Sequence, residues 1–198
     1  MPLVKPLAEQ QIEASLLEQL QFFKGPLGVI PNSVKTMAHR PAVAAAFTAL
    51  NIAVMQCRGQ VTPEFKRLLG YATSFTSGCR YCQAHTILGA ERFGSTPERL
   101  ESVWDFEHSE HFTEAEKAAL AYARTAAGVP NGVDESIADA LCAHWSDADI
   151  VEITAVIALF GFLNRWNDSM GSALEDLPIE AGERHLAETS GWEVGKHR

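Results

Sequence analysis

Cys79 and Cys82 stand three residues apart in the segment Gly78-Cys79-Arg80-Tyr81-Cys82-Gln83-Ala84-His85, and an imidazole follows three residues later. On an α-helix, residues three apart lie about 60° apart around the axis and about 4.5 Å along it, so Cys79, Cys82 and His85 can share one side. One helical turn also fits the Cα separation of about 4.4 to 6.8 Å that a disulfide permits. A cysteine reacts as its thiolate and needs a neighbour that stabilises the anion or removes the proton, such as a helix N-terminus or a histidine. The segment therefore reads as a redox-active dithiol. One thiolate attacks an oxidised substrate to give a sulfenic acid or mixed disulfide, and the second resolves it. The order of attack stays open on physical grounds: a helix N-terminus favours the anion of Cys79, whereas His85 lies one turn from Cys82.

A CxxC pair with a nearby histidine is also half of a structural zinc site, which needs four ligands. The second pair is missing, and Cys142-Ala143-His144 has poor spacing in a helical context, so no metal is expected. Cys57 and Cys142 stand alone and read as small buried hydrophobes. His108 and His111 sit in Glu107-His108-Ser109-Glu110-His111, which resembles a surface loop, and receive no role.

Helical signals must position the dithiol, because no alternating strand or hairpin pattern appears; the fold class is all-α. Leu7 to Phe23 reads as a first amphipathic helix ended by Gly25-Pro26. A loop to Asn32 precedes a helical stretch from Ser33 to Gln56, in which Pro41 either kinks the helix or starts a second one, and Arg58-Gly59-Gln60 breaks it. Thr62-Pro63-Glu64 supplies an N-cap, a first-turn proline and an acid facing the helix dipole, opening a helix to about Phe75. Thr76-Ser77-Gly78 closes it, and the next helix starts beside Cys79 and runs to Phe93, stopped by Gly94. Further starts are expected at Thr96-Pro97-Glu98, at the capping box Thr113 to Glu116, and at Ser146 to Asp149, with Gly128 to Gly132 separating two of the later helices.

The 198 residues suit a single domain, 1–198, with 46% hydrophobic and 21% charged residues. The net charge of −9 and sixteen scattered basic residues exclude the footprint of a nucleic-acid binder. The apolar run from Ile150 to Leu163 contains Glu152 and Thr154 and reads as a core helix rather than a membrane span. With no secretory signal recognisable after Met1, a cytoplasmic location is the expectation, with neither nucleic acid nor membrane as a partner.

Around these residues the chain resembles the AhpD-like alkylhydroperoxidase and carboxymuconolactone decarboxylase superfamily. The likeness rests on Pro31-Asn32 before a long helix, on Ser74 to Cys82 with its Gly-Cys-x-Tyr-Cys ending, and on Phe162-Leu163-Asn164-Arg165-Trp166-Asn167-Asp168. It implies a compact helical bundle that oligomerises through helix faces, and a thiol peroxidase that reduces a hydroperoxide and is regenerated by an external dithiol protein, with no metal or organic cofactor. It also implies that Cys82 is the peroxidatic thiol and Cys79 the resolving one, with a histidine and a glutamate relaying the proton. Here His85 follows Cys82 by three residues, where the peroxidase branch uses four, a position held by Thr86. The position of the relay glutamate is Arg67; Glu64, one turn earlier on the same face, either reaches the site or serves only as a helix-start acid. Arg67, if it faces the thiols, favours a thiolate without a relay. Arg165 and Asp168 are spaced to pair, and the polar helix end is either solvated or a buried network that closes the redox pocket or an interface. Two other readings keep the same fold: a lactone decarboxylase-like enzyme using acid-base groups, and a non-enzymatic helical assembly whose cysteines report redox state.

Overall fold

The computed structural model describes residues 2–56 and 59–198. Among them no strand occurs, and twelve α-helices follow in order: α1 Ala14–Leu20, α2 Lys24–Leu27, α3 Asn32–Met37, α4 Pro41–Met55, α5 Pro63–Thr76, α6 Arg80–Arg92, α7 Pro97–Ser102, α8 Glu114–Ala126, α9 Glu135–Cys142, α10 Asp147–Met170, α11 Asp176–His185 and α12 Ala187–Ser190. The all-α, AhpD-like expectation holds.

The start signals act through the atoms expected of them. Thr62 Oγ1 accepts the Phe65 amide at 3.1 Å, and capping boxes form at Thr113/Glu116 and Ser146/Asp149. Pro41 begins α4 rather than kinking a longer helix.

Two expectations need correction. Leu7 to Phe23 is not one helix: a 3-10 turn at Glu9–Gln11 is followed by extended backbone at Ile12 and Glu13, and α1 continues through a second 3-10 turn into α2. Gly25-Pro26 lies inside α2, where a first-turn proline sacrifices no helical bond, and the stop falls at left-handed Gly28 (φ 76°). Residues 171–198, for which no element was expected, form α11, α12 and a final 3-10 turn, Gly195–His197. The break expected at Arg58, and Cys57 beside it, lie outside the described residues.

The core runs from Ile12 to Val194. Its centre is the α5–α6 hairpin, in which residues 65–74 and 81–90 are buried, packed by α8 and α10 against α5 and by α11 against α6. A helix buried all round needs small residues where a neighbour crosses closely. At Gly70 a Cβ would lie 2.5 Å from a ring carbon of Phe160, so glycine sets the α5–α10 approach. The cost of burying polar groups in α5 is met by pairing: fully buried Lys66 contacts Glu152 of α10 at 2.5 Å and donates to the Val54 carbonyl at 2.7 Å. No described helix is long and apolar enough to cross a membrane.

Candidate active site

The dithiol is placed by the α5–α6 turn. Gly78 adopts φ 71°, a conformation that favours glycine, and the chain then reverses so that the Cys79 amide donates to the Ser74 carbonyl at 3.0 Å. Cys79 is the N-cap residue of α6, one turn before Cys82. Both thiols are free and buried, with relative exposures of 0% and 2%. The Cys79 sulfur is near enough to act on the Cys82 thiol, so the two are neighbours in the buried interior.

Cys82 faces a cavity of about 50 Å³, room for about three or four water molecules. Phe23, Phe47, Phe160 and Leu163 supply apolar wall; Arg67, His85, Asn51 and Asn167 supply polar groups. Burial pushes the Cys82 thiol well above the ordinary range, with the Cys79 sulfur and the charge of Asp168 adding to the shift. Asn167 opposes them by donating from Nδ2 to Cys82 Sγ at 3.3 Å.

His85 stacks on Tyr81, ring centroids 4.3 Å apart, and its Nδ1–H donates to the Tyr81 carbonyl at 3.0 Å. Its Nε2 lies 2.9 Å from Glu175 Oε2. The attraction between the two groups is coulombic first and hydrogen-bonding second. Glu175 Oε1 accepts from the Tyr81 hydroxyl at 3.2 Å and from the Asn32 amide, and the Ser33 amide donates to the Tyr81 oxygen at 3.2 Å. Burial alone would raise the Glu175 carboxyl, but the positive charge of His85 and the amides outweigh it and hold the group below its ordinary value. Burial, followed by the charge of Glu175, pushes the Tyr81 phenol well up.

Glu64 does not join this group. Its carboxylate accepts from Ser95 Oγ at 2.6 Å and pairs with Arg99 Nε at 2.9 Å, and Arg99 also reaches Glu116. The side chain is turned towards α7 and α8 because Arg99 offers a fork of donors there. The carboxylate beside the histidine is Glu175, the N-cap residue of α11. In sequence it reads as an ordinary acidic helix start, and only the return of the C-terminal segment brings it to the site. Arg67 does face the cavity.

The polar end of α10 is split. Asn164 accepts from Ser74 Oγ at 2.9 Å and Asn167 reaches Cys82, whereas Arg165 is exposed and does not pair with Asp168. Asp168 contacts Lys196 and His197 instead, each at 3.3 Å. Cys79 Sγ, Asp168 and His197 offer ligand atoms within 4.8 Å of one another, the three-ligand grouping found among the described residues. His197 Nδ1 is already engaged with the Ser172 carbonyl at 2.8 Å, and a structural zinc needs four ligands, so the trio fits a polar flank of Cys79 better than a metal centre. The tail that carries His197 is fixed by Trp192, whose Nε1 donates to the Arg80 carbonyl at 3.1 Å. Cys142, expected to be buried, is exposed at the end of α9.

A model of the carboxymuconolactone decarboxylase family matches residues 41–125, the segment that carries the dithiol and His85. The crystal structure of the debrominase Bmp8 superposes with a TM-score of 0.86 at 31% sequence identity, covering 92% of this chain and 97% of that one. Residues 41–125 thus match the carboxymuconolactone decarboxylase family, and the chain as a whole is a relative of Bmp8. A C82A form of Bmp8 in complex with 2,3,4-tribromopyrrole superposes with a TM-score of 0.87 at 30% identity, with the same 92% and 97% coverage. In sequence the chain is similar to the uncharacterized protein YnjA of Escherichia coli (strain K12), 32% identical over 124 residues, which is 62% of this chain and 65% of YnjA; that match spans just under two thirds of YnjA. An AhpD-core, peroxidase-related protein from Ralstonia eutropha JMP134 shares the fold at a TM-score of 0.76 and 23% identity, over 87% of this chain and 91% of that one. Glu175, Asn167, Asp168 and His197 all lie outside the segment matched by the family model.

Proposed function

We propose that this protein is a thiol-dependent reductase of hydroperoxides in which Cys82 attacks, Cys79 resolves, and His85 with Glu175 manages the proton. The observation that carries the reading is the convergence on one small cavity of Cys82 and the His85 ring, with Cys79 one helical turn before Cys82.

The Cys82 sulfur attacks a peroxide oxygen; the S–O bond forms as the O–O bond breaks. The departing alkoxide takes the proton of His85 Nε2, and His85 recovers the proton released by the Cys82 thiol, so an alcohol leaves and a sulfenic acid remains. Glu175 balances the imidazolium charge throughout. Cys79 then attacks the sulfenic sulfur; a disulfide forms and the oxygen leaves as water. An external dithiol returns two electrons and two protons by thiol exchange. Asn167 favours the attacking anion through its bond to Cys82 Sγ.

A second electrophile is supported by the cavity walls and by Bmp8. Phe23 and Phe47, stacked on each other with ring centroids 6.3 Å apart, give the cavity an aromatic wall against which a flat ring can pack. On a halogenated ring the same thiolate takes the halogen, the ring carbon takes the proton, and Cys79 expels halide as the disulfide closes.

Dithiothreitol-driven consumption of a hydroperoxide, and halide release from a brominated pyrrole, test both. Cys82→Ser is expected to abolish turnover, and Cys79→Ser to stop after one equivalent with sulfenic acid trapped on Cys82. Peroxide consumption that persists unchanged in both variants eliminates the dithiol cycle.

A further inference from the structure

Arg67 is a buried cation with no counter-ion among the described residues. It is 7% exposed, lies on α5 facing α6, and shares the cavity wall with Cys82 and His85. Among the described residues no carboxylate comes within ion-pair distance of it, and its Nε has no hydrogen-bond partner. No described Asp or Glu lines the cavity. The other buried cation of α5, Lys66, has its carboxylate in Glu152, and the His85 ring has Glu175. The fold also makes room for Arg67: at Gly89 of α6 a Cβ would lie 3.0 Å from its Cδ, and its guanidinium lies over the Phe93 ring, 5.6 Å from the centroid.

Burying an ion costs several kcal/mol unless it is paired, and replacing it with an apolar side chain would commonly stabilise the fold. In a chain of net charge −9 a partner acid was readily available to evolution. The missing charge is therefore to be sought in what enters the cavity. A guanidinium offers a planar fork of donors matched to a carboxylate or to another delocalised anion.

We propose that Arg67 is a substrate-recognition residue and that the cavity takes a small organic anion, held by its negative group at Arg67 with its electrophilic atom towards Cys82. The class comprises compact electrophiles bearing a carboxylate, or a ring whose acidic N–H or O–H is ionised. This rests on Cys82 being the substrate-facing thiol. It differs from a role in stabilising the thiolate alone, since it demands discrimination between a charged and a neutral substrate of equal size.

Iodoacetate and iodoacetamide form such a pair. Each transfers a carbon to sulfur as the C–I bond breaks and iodide leaves, so neither needs the peroxide reaction or the disulfide. The rate of alkylation at Cys82, located by mass spectrometry, is measured for both reagents in the full chain, in Arg67→Met and in Arg67→Lys. The ratio of iodoacetate to iodoacetamide rates is expected to exceed that of glutathione, to fall about tenfold or more in Arg67→Met, and to be largely retained in Arg67→Lys. A general change in thiol reactivity moves both rates and leaves the ratio alone. A ratio equal to that of glutathione in the unmodified chain, or unchanged in Arg67→Met, overturns the proposal while leaving the dithiol cycle to its own test. If burial keeps Cys82 silent to both reagents, thermal melts of Cys82→Ser with propionate or propionamide make the same comparison. Stabilisation by propionate alone, lost on adding Arg67→Met, supports the site, and equal effects of the two solutes reject it.

Discussion

Replacing Glu175 by glutamine isolates the charge that this structure places against His85. The carboxylate has three partners: His85 Nε2 at 2.9 Å, the Tyr81 hydroxyl at 3.2 Å and the Asn32 amide. Glutamine keeps an acceptor for the last two and removes only the negative charge that faces the His85 ring. Breaking a buried pair from one side costs about 3–5 kcal/mol. The surviving hydrogen bonds place Glu175→Gln at the low end, about 3 kcal/mol. For a chain of this length that lowers the melting temperature by about 6–12 °C at pH 7. The pH dependence has a definite sign. Glu175 is held below its unfolded value, so its contribution is present in full above the ordinary carboxylate range and is lost as pH falls through its folded value. The gap between wild type and Glu175→Gln should therefore be complete at pH 7 and shrink below about pH 4.3. Melts followed by circular dichroism from pH 7 downwards read both quantities. Equal melting temperatures at pH 7, or a gap undiminished at the lowest pH where the wild type still melts cooperatively, would refute the assignment of Glu175 as the partner of His85.

Asn167→Ala removes the donor that favours the Cys82 anion, so the thiol should move further up and its alkylation at fixed pH should slow about three- to tenfold, a change checked by the pH profile of iodoacetamide labelling. Glu64→Ala breaks the partly buried cluster with Arg99 and Ser95 and should cost about 1–3 kcal/mol in urea unfolding, yet leave the rate of Cys82 labelling as it was; a slower Cys82 would return Glu64 to the site.

What the sequence alone determined is local. The dithiol, its helical register with His85, and the helix starts at Thr62, Thr96, Thr113 and Ser146 depend on atoms a few residues apart, where caps and turn glycines act through short-range hydrogen bonds. The segment matched by the family model, residues 41–125, holds all of these signals except the helix start at Ser146. At the N-terminus the apolar spacing of a helix runs on through Ile12 and Glu13, where the backbone is extended, so periodicity alone overstates that helix.

Only the tertiary structure decided which charges meet. Glu64 and Arg67 occupy one helix three residues apart, yet one carboxylate is drawn outwards by Arg99 while the guanidinium is left facing Cys82. Nothing in the pattern around Glu175 distinguishes it from a helix-start acid; its meeting with His85 spans 90 residues of chain and depends on α11 folding back over α6. Ion pairs of that kind are chosen by proximity in space and by the desolvation that burial imposes, and neither quantity has a periodicity that a one-dimensional reading can detect.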